Sequence, residues 1–376
     1  MNIAITNNPK EQVEIGRHIV EEKSEIYNTR VISKIEKTII DNMPHATQEE
    51  RKSMFYRSIY DYWIYGNNIS EEFCYRFYQK GHDEKATYLT YNNRMPYMRH
   101  LNDKKDAHYL NNKYEAYLEL KKYYLRDVIL IRSDEDFNAF CDFVEKHNTF
   151  VVKPEDLGYA AGVYKYSMPR GADKRDVFEG FLQEAKELKN QYGWPGRDSN
   201  SIILEEIIDQ DDAMSKMHPA SANVIRCTTI YVNGKVHIYY PYFKFGVGGE
   251  FVVDEALGSL MAGINAETGE VDTLGYNEKG ESFYYHPTTG VEIPGFKIPK
   301  WNELVEILEE IGTHFPTIHY IGWDMVLSKQ GWCIMEGNFT GECLWQLVYG
   351  KGMKAELEEL IDWKPQKDYC CSDQNL

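Results

Sequence analysis

The chain has no CxxC pair and no cysteine spacing that suggests a disulfide framework. Its cysteines are scattered: Cys74, Cys141, Cys227, Cys333 and Cys343 stand in apolar contexts, and Cys370 and Cys371 in a polar tail. No apolar run reaches the length of about 18 residues that a membrane-spanning helix needs. The opening MNIAITNNPKEQVEIG has neither the basic stretch nor the apolar core of a leader. Together these absences point to a cytoplasmic, reduced protein. Basic residues are also in deficit, 42 against 59 acidic ones, for a formal net charge of −17. A nucleic-acid binder would show a basic stripe, so the expected partners are small molecules, with no nucleic acid and no membrane insertion. No internal repeat or low-complexity segment stands out, and neither GxxxxGK[ST] nor GxGxxG occurs, so two common phosphate-binding loops are excluded.

What is present is a folding composition. Hydrophobic residues make up 43% and aromatic residues 14%, with 29 Tyr and 16 Phe, over a chain long enough for two or three structural units. From about Glu11 to Tyr117 the pattern is helical, with Ile15, Ile19, Ile26 and Val31 interleaved with charges, so residues 1–110 form a helical N-terminal region. Its aromatic stripe MFYRSIYDYWIYG fits core packing; stacking against sugars is the other reading. From Asp127 the texture alternates. VILIRS reads as a strand, DEDFNAFCDFVEKH as a helix and TFVVKP as a strand, followed by a helix ending at Gly193 and the strand SIILEEII. Hairpin signals follow at Asn233-Gly234 and Thr268-Gly269, then the helix WNELVEILEEIGTHF, and MKAELEELIDW closes the region.

The hairpin GWDMVLSKQGWCIMEGN carries three oxygen-bearing groups in otherwise apolar strands. A three-residue loop, Lys329 to Gly331, would set Ser328 against Trp332 and Asp324 directly opposite Glu336. Asn338 would then share their face, with Met325, Leu327 and Met335 on the other. Like charges so placed destabilise a sheet unless a basic residue or a cation joins them, and carboxylate and amide oxygens suit a hard divalent ion. Upstream, FVVKPEDLGYAAGV delivers Lys153 at the end of an apolar strand into a loop with Gly158 and Gly162, an arrangement that suits phosphate oxygens. In IILEEII, Glu205 and Glu206 must face opposite ways, so one alone can meet a ligand. Arg226 could fork onto a phosphate or pair with an acidic neighbour. His218 and His286, each before a proline, fit structural roles better than catalysis, and His314 and His319 have no partner at metal-ligand spacing.

The order of Lys153 with its glycine-containing loop, the paired glutamates and the Asp…Glu-x-Asn hairpin resembles the ATP-grasp fold. More closely, HPASANVIRCTTI, HPTTGVEIPGFKIPKW and YIGWDMVLSKQGWCIMEGN are similar to the sugar-transfer-associated ATP-grasp family, over roughly Lys113 to Trp345. The resemblance implies an α+β architecture: an ATP-grasp domain over 111–365, with two α/β subdomains clamping ATP, a lid over about 150–203 and a catalytic part over about 204–365, then a polar tail at 366–376. It implies ATP and Mg²⁺ as cofactors. Lys153 and, from NNKYEAY, Lys113 would contact the phosphates, and the loop from Asp156 to Val163, including Gly158 and Gly162, would cover them. That loop has few glycines for a mobile lid, which implies slower closure or a more ordered loop. Glu205, Glu206 and Ile207 would form the adenine hinge, with one glutamate on the ribose. Asp324, Glu336 and Asn338 would hold the metal, and Arg226 and Asn223 would act in catalysis. The implied activity is an ADP-forming carboxylate-amine ligase in polysaccharide or sugar-linked biosynthesis. The rivals are an ATP-grasp kinase acting on a hydroxyl and a non-catalytic ATP-binding partner of a glycosyltransferase.

Overall fold

The computed structural model describes residues 3–103, 105–106, 108–158, 161–192, 200–249, 258–340 and 343–366. The polar tail beyond 366 with Cys370 and Cys371, the helix end at Gly193, and residues 159 and 160 of the glycine-containing loop lie outside the described residues. The chain divides into two compact units, one of Met1–His100, Tyr276–Ser282 and Glu342–Leu376, the other of Leu101–Gly275 and Phe283–Gly341.

The first unit is helical. Helix Pro9–Glu22 starts from Asn8, whose side chain accepts the N–H of Lys10, and carries its proline in the first turn, where no amide donor is lost. Helix Gln48–Tyr65 opens on a reciprocal capping box between Thr47 and Glu50 and stops at Gly66 in the left-handed conformation. The two helices cross at Gly16, where a Cβ would stand 2.0 Å from the carbonyl oxygen of Tyr56; only glycine lets the backbones approach that closely. Ile19, Ile39, Phe55, Ile59, Trp63 and Phe73 pack into one core, so that much of the aromatic stripe is interior. Helix Lys354–Ile361 belongs to this helical unit. The reason is packing: the Tyr97 hydroxyl donates to Glu358 at 2.6 Å, and its ring meets Trp363 edge-on.

The second unit holds two antiparallel sheets. The smaller consists of β1 (Val128–Ile131), β2 (Thr149–Pro154), β3 (Tyr164–Ser167) and β4 (Ile202–Glu206), in the order β1-β4-β2-β3. Helices Phe137–Lys146 and Lys174–Tyr192 cover it through Phe140, Phe143, Phe178 and Phe181, which meet Phe150, Ile202 and Leu204. This sheet begins at 128, where β1 pairs antiparallel with β4 from some seventy residues further along the chain. The larger sheet contains β5 (Val224–Val232), β6 (Lys235–Phe245), β7 (Leu260–Gly263), β8 (Tyr320–Ser328) and β9 (Gly331–Asn338), neighbours in the order β9-β8-β5-β6-β7. The Asn233-Gly234 turn joins β5 to β6 with Val232 opposite Lys235, both turn residues having positive φ, as its sequence predicts. Helix Trp301–Ile311 lays Leu304, Leu308 and Ile311 into the same core as Met325, Leu327 and Ile334. The α+β class expected from sequence is the class observed.

Candidate functional site

The site begins at the β8–β9 hairpin. Asp324 stands directly opposite Glu336, as the sequence predicts, but by a different route. The turn is the two-residue Lys329-Gln330, with Ser328 opposite Gly331, and that register would set Asp324 against Met335. A β-bulge between Asp324 and Met325 inserts one residue in β9 and restores the Asp324–Glu336 pairing. The bulge also corrects the predicted face of Met335: it packs with Val326 and Cys333, away from the core that holds Met325 and Leu327. Asn338, two residues beyond Glu336, shares the carboxylate face by alternation and pairs with Gly322.

The neighbouring strand resolves the like-charge problem. Arg226 of β5 stands opposite Asp324, donating from Nε to Oδ1 at 2.6 Å and from Nη2 to Oδ2 at 2.9 Å, a fork on one carboxylate. Of the two readings of Arg226 from sequence, the geometry shows the ion pair, with the guanidinium in a row with Asp324 and Glu336. Glu336 is one-third exposed, and among the described residues its carboxylate lies within ion-pair reach of Lys113 alone, at 3.6 Å. Lys113 also donates from Nζ to the carbonyl of Leu157, at the start of the glycine-containing loop, while Asn112 donates to Glu155 at 2.7 Å.

A second cluster lies in the smaller sheet. Lys153 at the end of β2 reaches diagonally to Glu205 of β4, Nζ to Oε1 at 2.5 Å. Arg126 takes the other oxygen, from Nε at 3.1 Å and Nη2 at 3.0 Å, and its Nη1 donates to the carbonyl of Ile334 in β9. It thereby ties this carboxylate to the metal-candidate hairpin. Burial by itself would raise the Glu205 carboxyl, but the Arg126 and Lys153 cations outweigh it and hold Glu205 below its usual range. Burial pulls the Lys153 ammonium down against the attraction of Glu205, with Arg126 adding to the fall. Two buried cations share one carboxylate, which leaves positive charge in excess where an anion would be expected.

Of the two glutamates, Glu205 is therefore the one that faces Lys153. Glu206 turns the other way, accepting the N–H of Asp127 at 3.0 Å and standing near His147. Those three side chains could converge on a cation, but Lys146 already stands 3.9 Å from Asp127. Ile207 follows β4 directly. Gly162 has φ +71°, and a Cβ there would come within 2.9 Å of Pro154, so the loop's far end folds back onto β2. Gly158 accepts from the N–H of Ala161.

Asn223 does not join this assembly. Fully buried, it donates from Nδ2 to the carbonyls of Met214 and His218 and pins that segment. His218 and His286 are likewise buried, bonded to Gly248 and Gly246 carbonyls, with ring centroids 5.6 Å apart. Burial lowers the His286 imidazole. Sequence reasoning missed Arg126 and Glu155. The signals were slight: a single arginine before the apolar run of β1, and a glutamate directly after Lys153-Pro154.

Oxygen donors on Asp324, Glu336 and Asn338, converging on one sheet face beside the cations of Arg226 and Lys113, fit a hard divalent ion accompanying a polyphosphate. The model of the family described as sugar-transfer associated ATP-grasp matches residues 92–361. ATP and Mg²⁺ are the cofactors of ATP-grasp enzymes and the cofactors of this chain. No curated protein sequence matches the chain. Among solved structures, a D-alanyl-alanine synthetase A from Vibrio cholerae O1 is similar at 12% identity and TM-score 0.38, over 67% of this chain and 60% of that one. A D-alanine-D-alanine ligase from Helicobacter pylori is similar at 14% identity and TM-score 0.41, over 68% and 62%. An N5-carboxyaminoimidazole synthase from Aspergillus clavatus is similar at 10% identity and TM-score 0.42, over 71% and 56%. The chain thus spans less than two thirds of the length of each. No described helix is long and apolar enough to cross a membrane.

Proposed function

The chain belongs to the sugar-transfer associated ATP-grasp family, and on that premise we propose that it is an ATP-dependent carboxylate-amine ligase. In the proposed reaction a substrate carboxylate oxygen attacks the γ-phosphorus of ATP, the bond to the β-phosphate oxygen breaks, and ADP leaves. An amine then attacks the acyl carbon of the acyl phosphate, phosphate departs with the bonding pair, and the amine proton is lost to solvent. The observation that carries the reading is the excess of buried positive charge around Glu205, beside a hairpin whose Asp324 and Glu336 oppose one another.

Lys153 and Lys113 would bind the phosphates, as fixed donors that need no reorganisation when charge shifts onto ADP. Arg126 positions Lys153 through the carboxylate they share. Asp324, Glu336 and Asn338 would hold Mg²⁺, which neutralises phosphate charge during transfer. Arg226, forked onto Asp324, would turn to a phosphoryl oxygen when that carboxylate takes another partner. Such a site works by positioning and charge, so no general base need stand among these residues. The family description supports a sugar-linked substrate, such as a uronic acid amidated by an amino acid, and small molecules as partners.

Calorimetric titration of ATP with Mg²⁺ into wild type and Glu336→Gln, followed by ADP release with pooled amino acids and uronic acids, tests the reading. Mg²⁺-dependent binding lost in the variant, with ADP release that needs both substrates, is the expected result. ADP release with a hydroxyl acceptor alone would make the protein a kinase, and tight binding without turnover would make it a non-catalytic nucleotide binder.

A further inference from the structure

The helical unit contains a cavity of about 290 Å³ that has no part in the nucleotide chemistry above. Its floor is aromatic: Tyr75 and Tyr88 are both buried, with ring centroids 5.1 Å apart. Two cations line it, Arg76 and Lys80, and no aspartate or glutamate does. In a chain with 59 acidic residues against 42 basic ones, a concave surface bearing only positive charge is the exception, and it selects for an anion.

Arg76 is also held in an unusual way. Its backbone is left-handed, φ 53° and ψ 42°, a conformation that costs a residue with a side chain free energy and recurs where function over-determines geometry. Its Nη2 donates to the carbonyl of Gly280 at 2.8 Å, which fixes the guanidinium at the cavity edge. Lys80 lies 5.4 Å from the centre of the Tyr88 ring and is tethered to Glu84, outside the cavity wall. Tyr276 and Ser282 add hydroxyl groups to the wall.

We propose that this cavity binds a small organic anion, its carboxylate or phosphate held by Arg76 and Lys80 and its body resting on Tyr75 and Tyr88. The volume admits one compact molecule rather than a polymer or a nucleotide. The binding is independent of ATP and Mg²⁺, so its failure leaves the ligase reading untouched, and the reverse holds too.

The test is calorimetric titration of glucuronate, glucose 6-phosphate and uncharged glucose into the full chain without nucleotide or metal. Arg76→Gly is the informative variant, because glycine adopts this backbone without strain and the fold is kept while the guanidinium is removed. At least one charged probe is expected to bind, about tenfold more weakly to Arg76→Gly, with glucose silent and the variant melting no lower than wild type. Which probe binds separates the carboxylate from the phosphate. The proposal is overturned if neither charged probe binds up to about 10 mM, if glucose binds equally well, or if Arg76→Gly binds as wild type does.

Discussion

In the helical unit Lys85, fully buried, donates to Asp61 at 2.6 Å, and a second buried carboxyl, Glu72, stands beside that pair. In the other unit Lys153 and Arg126 divide the single carboxylate of Glu205 between them. The two clusters are buried alike and charged oppositely. With two carboxyls to one ammonium, the helical unit can reach neutrality by itself: burial and the neighbouring Asp61 charge raise Glu72 well above the usual carboxylate range, so that it keeps its proton. Asn67 donates to Glu72 at 3.0 Å, and the rings of Tyr65 and Phe77 face the Lys85 ammonium. Two cations on one carboxylate reach neutrality by themselves only if Lys153 gives up its proton, toward which burial and Arg126 pull it; a bound anion would instead hold that proton in place. One cluster balances its charge internally; the other carries an excess of positive charge that suits an anion.

Three substitutions sharpen that contrast. Lys85→Met leaves Asp61 buried without its cation and is expected to cost about 3–5 kcal/mol in urea or thermal unfolding, the largest effect of the set. Lys153→Met makes the same chemical change, yet Glu205 keeps Arg126, so stability should move by less than about 1 kcal/mol while ATP affinity falls about tenfold to a hundredfold. If both lysines prove equally destabilising, the distinction between the two clusters is lost. Glu72→Gln should be the mildest at neutral pH, within about 1 kcal/mol, because the amide replaces a carboxyl that is already protonated. Its signature lies in pH dependence. A carboxyl raised in the folded state contributes stability that is full below the ordinary carboxylate range and is lost as pH climbs through its raised value. Wild type should therefore lose stability as pH rises above that range, and Glu72→Gln should flatten the slope. An unchanged slope in the variant would show that Glu72 is ionised in the fold.

Much of the candidate site was legible because its elements are local. Lys153 announces itself as a lysine ending an apolar strand, and the spacing of Asp324, Glu336 and Asn338 survives an error about the turn. That survival was partly fortunate: a shorter loop and a bulge offset one another, and Met335, on the wrong face, is the mark they left. Parity required one of Glu205 and Glu206 to face inward, but which one depends on where β2 and Arg126 stand. Only the family resemblance sets Asn223 beside Arg226, and its side chain holds backbone carbonyls.

The sequence by itself determined the periodic elements, the hairpin turn at Asn233-Gly234, the acidic balance and the residue types able to meet phosphate and a hard cation, since each of these follows from neighbours along the chain. Tertiary structure alone decided that Arg226 would fork onto Asp324, that Arg126 would bridge Glu205 and Ile334, that Arg76 and Lys80 would line one cavity, and that helix Lys354–Ile361 would pack with the N-terminal helices. Charge pairing and packing act through space, between residues whose separation in sequence carries no trace of the contact.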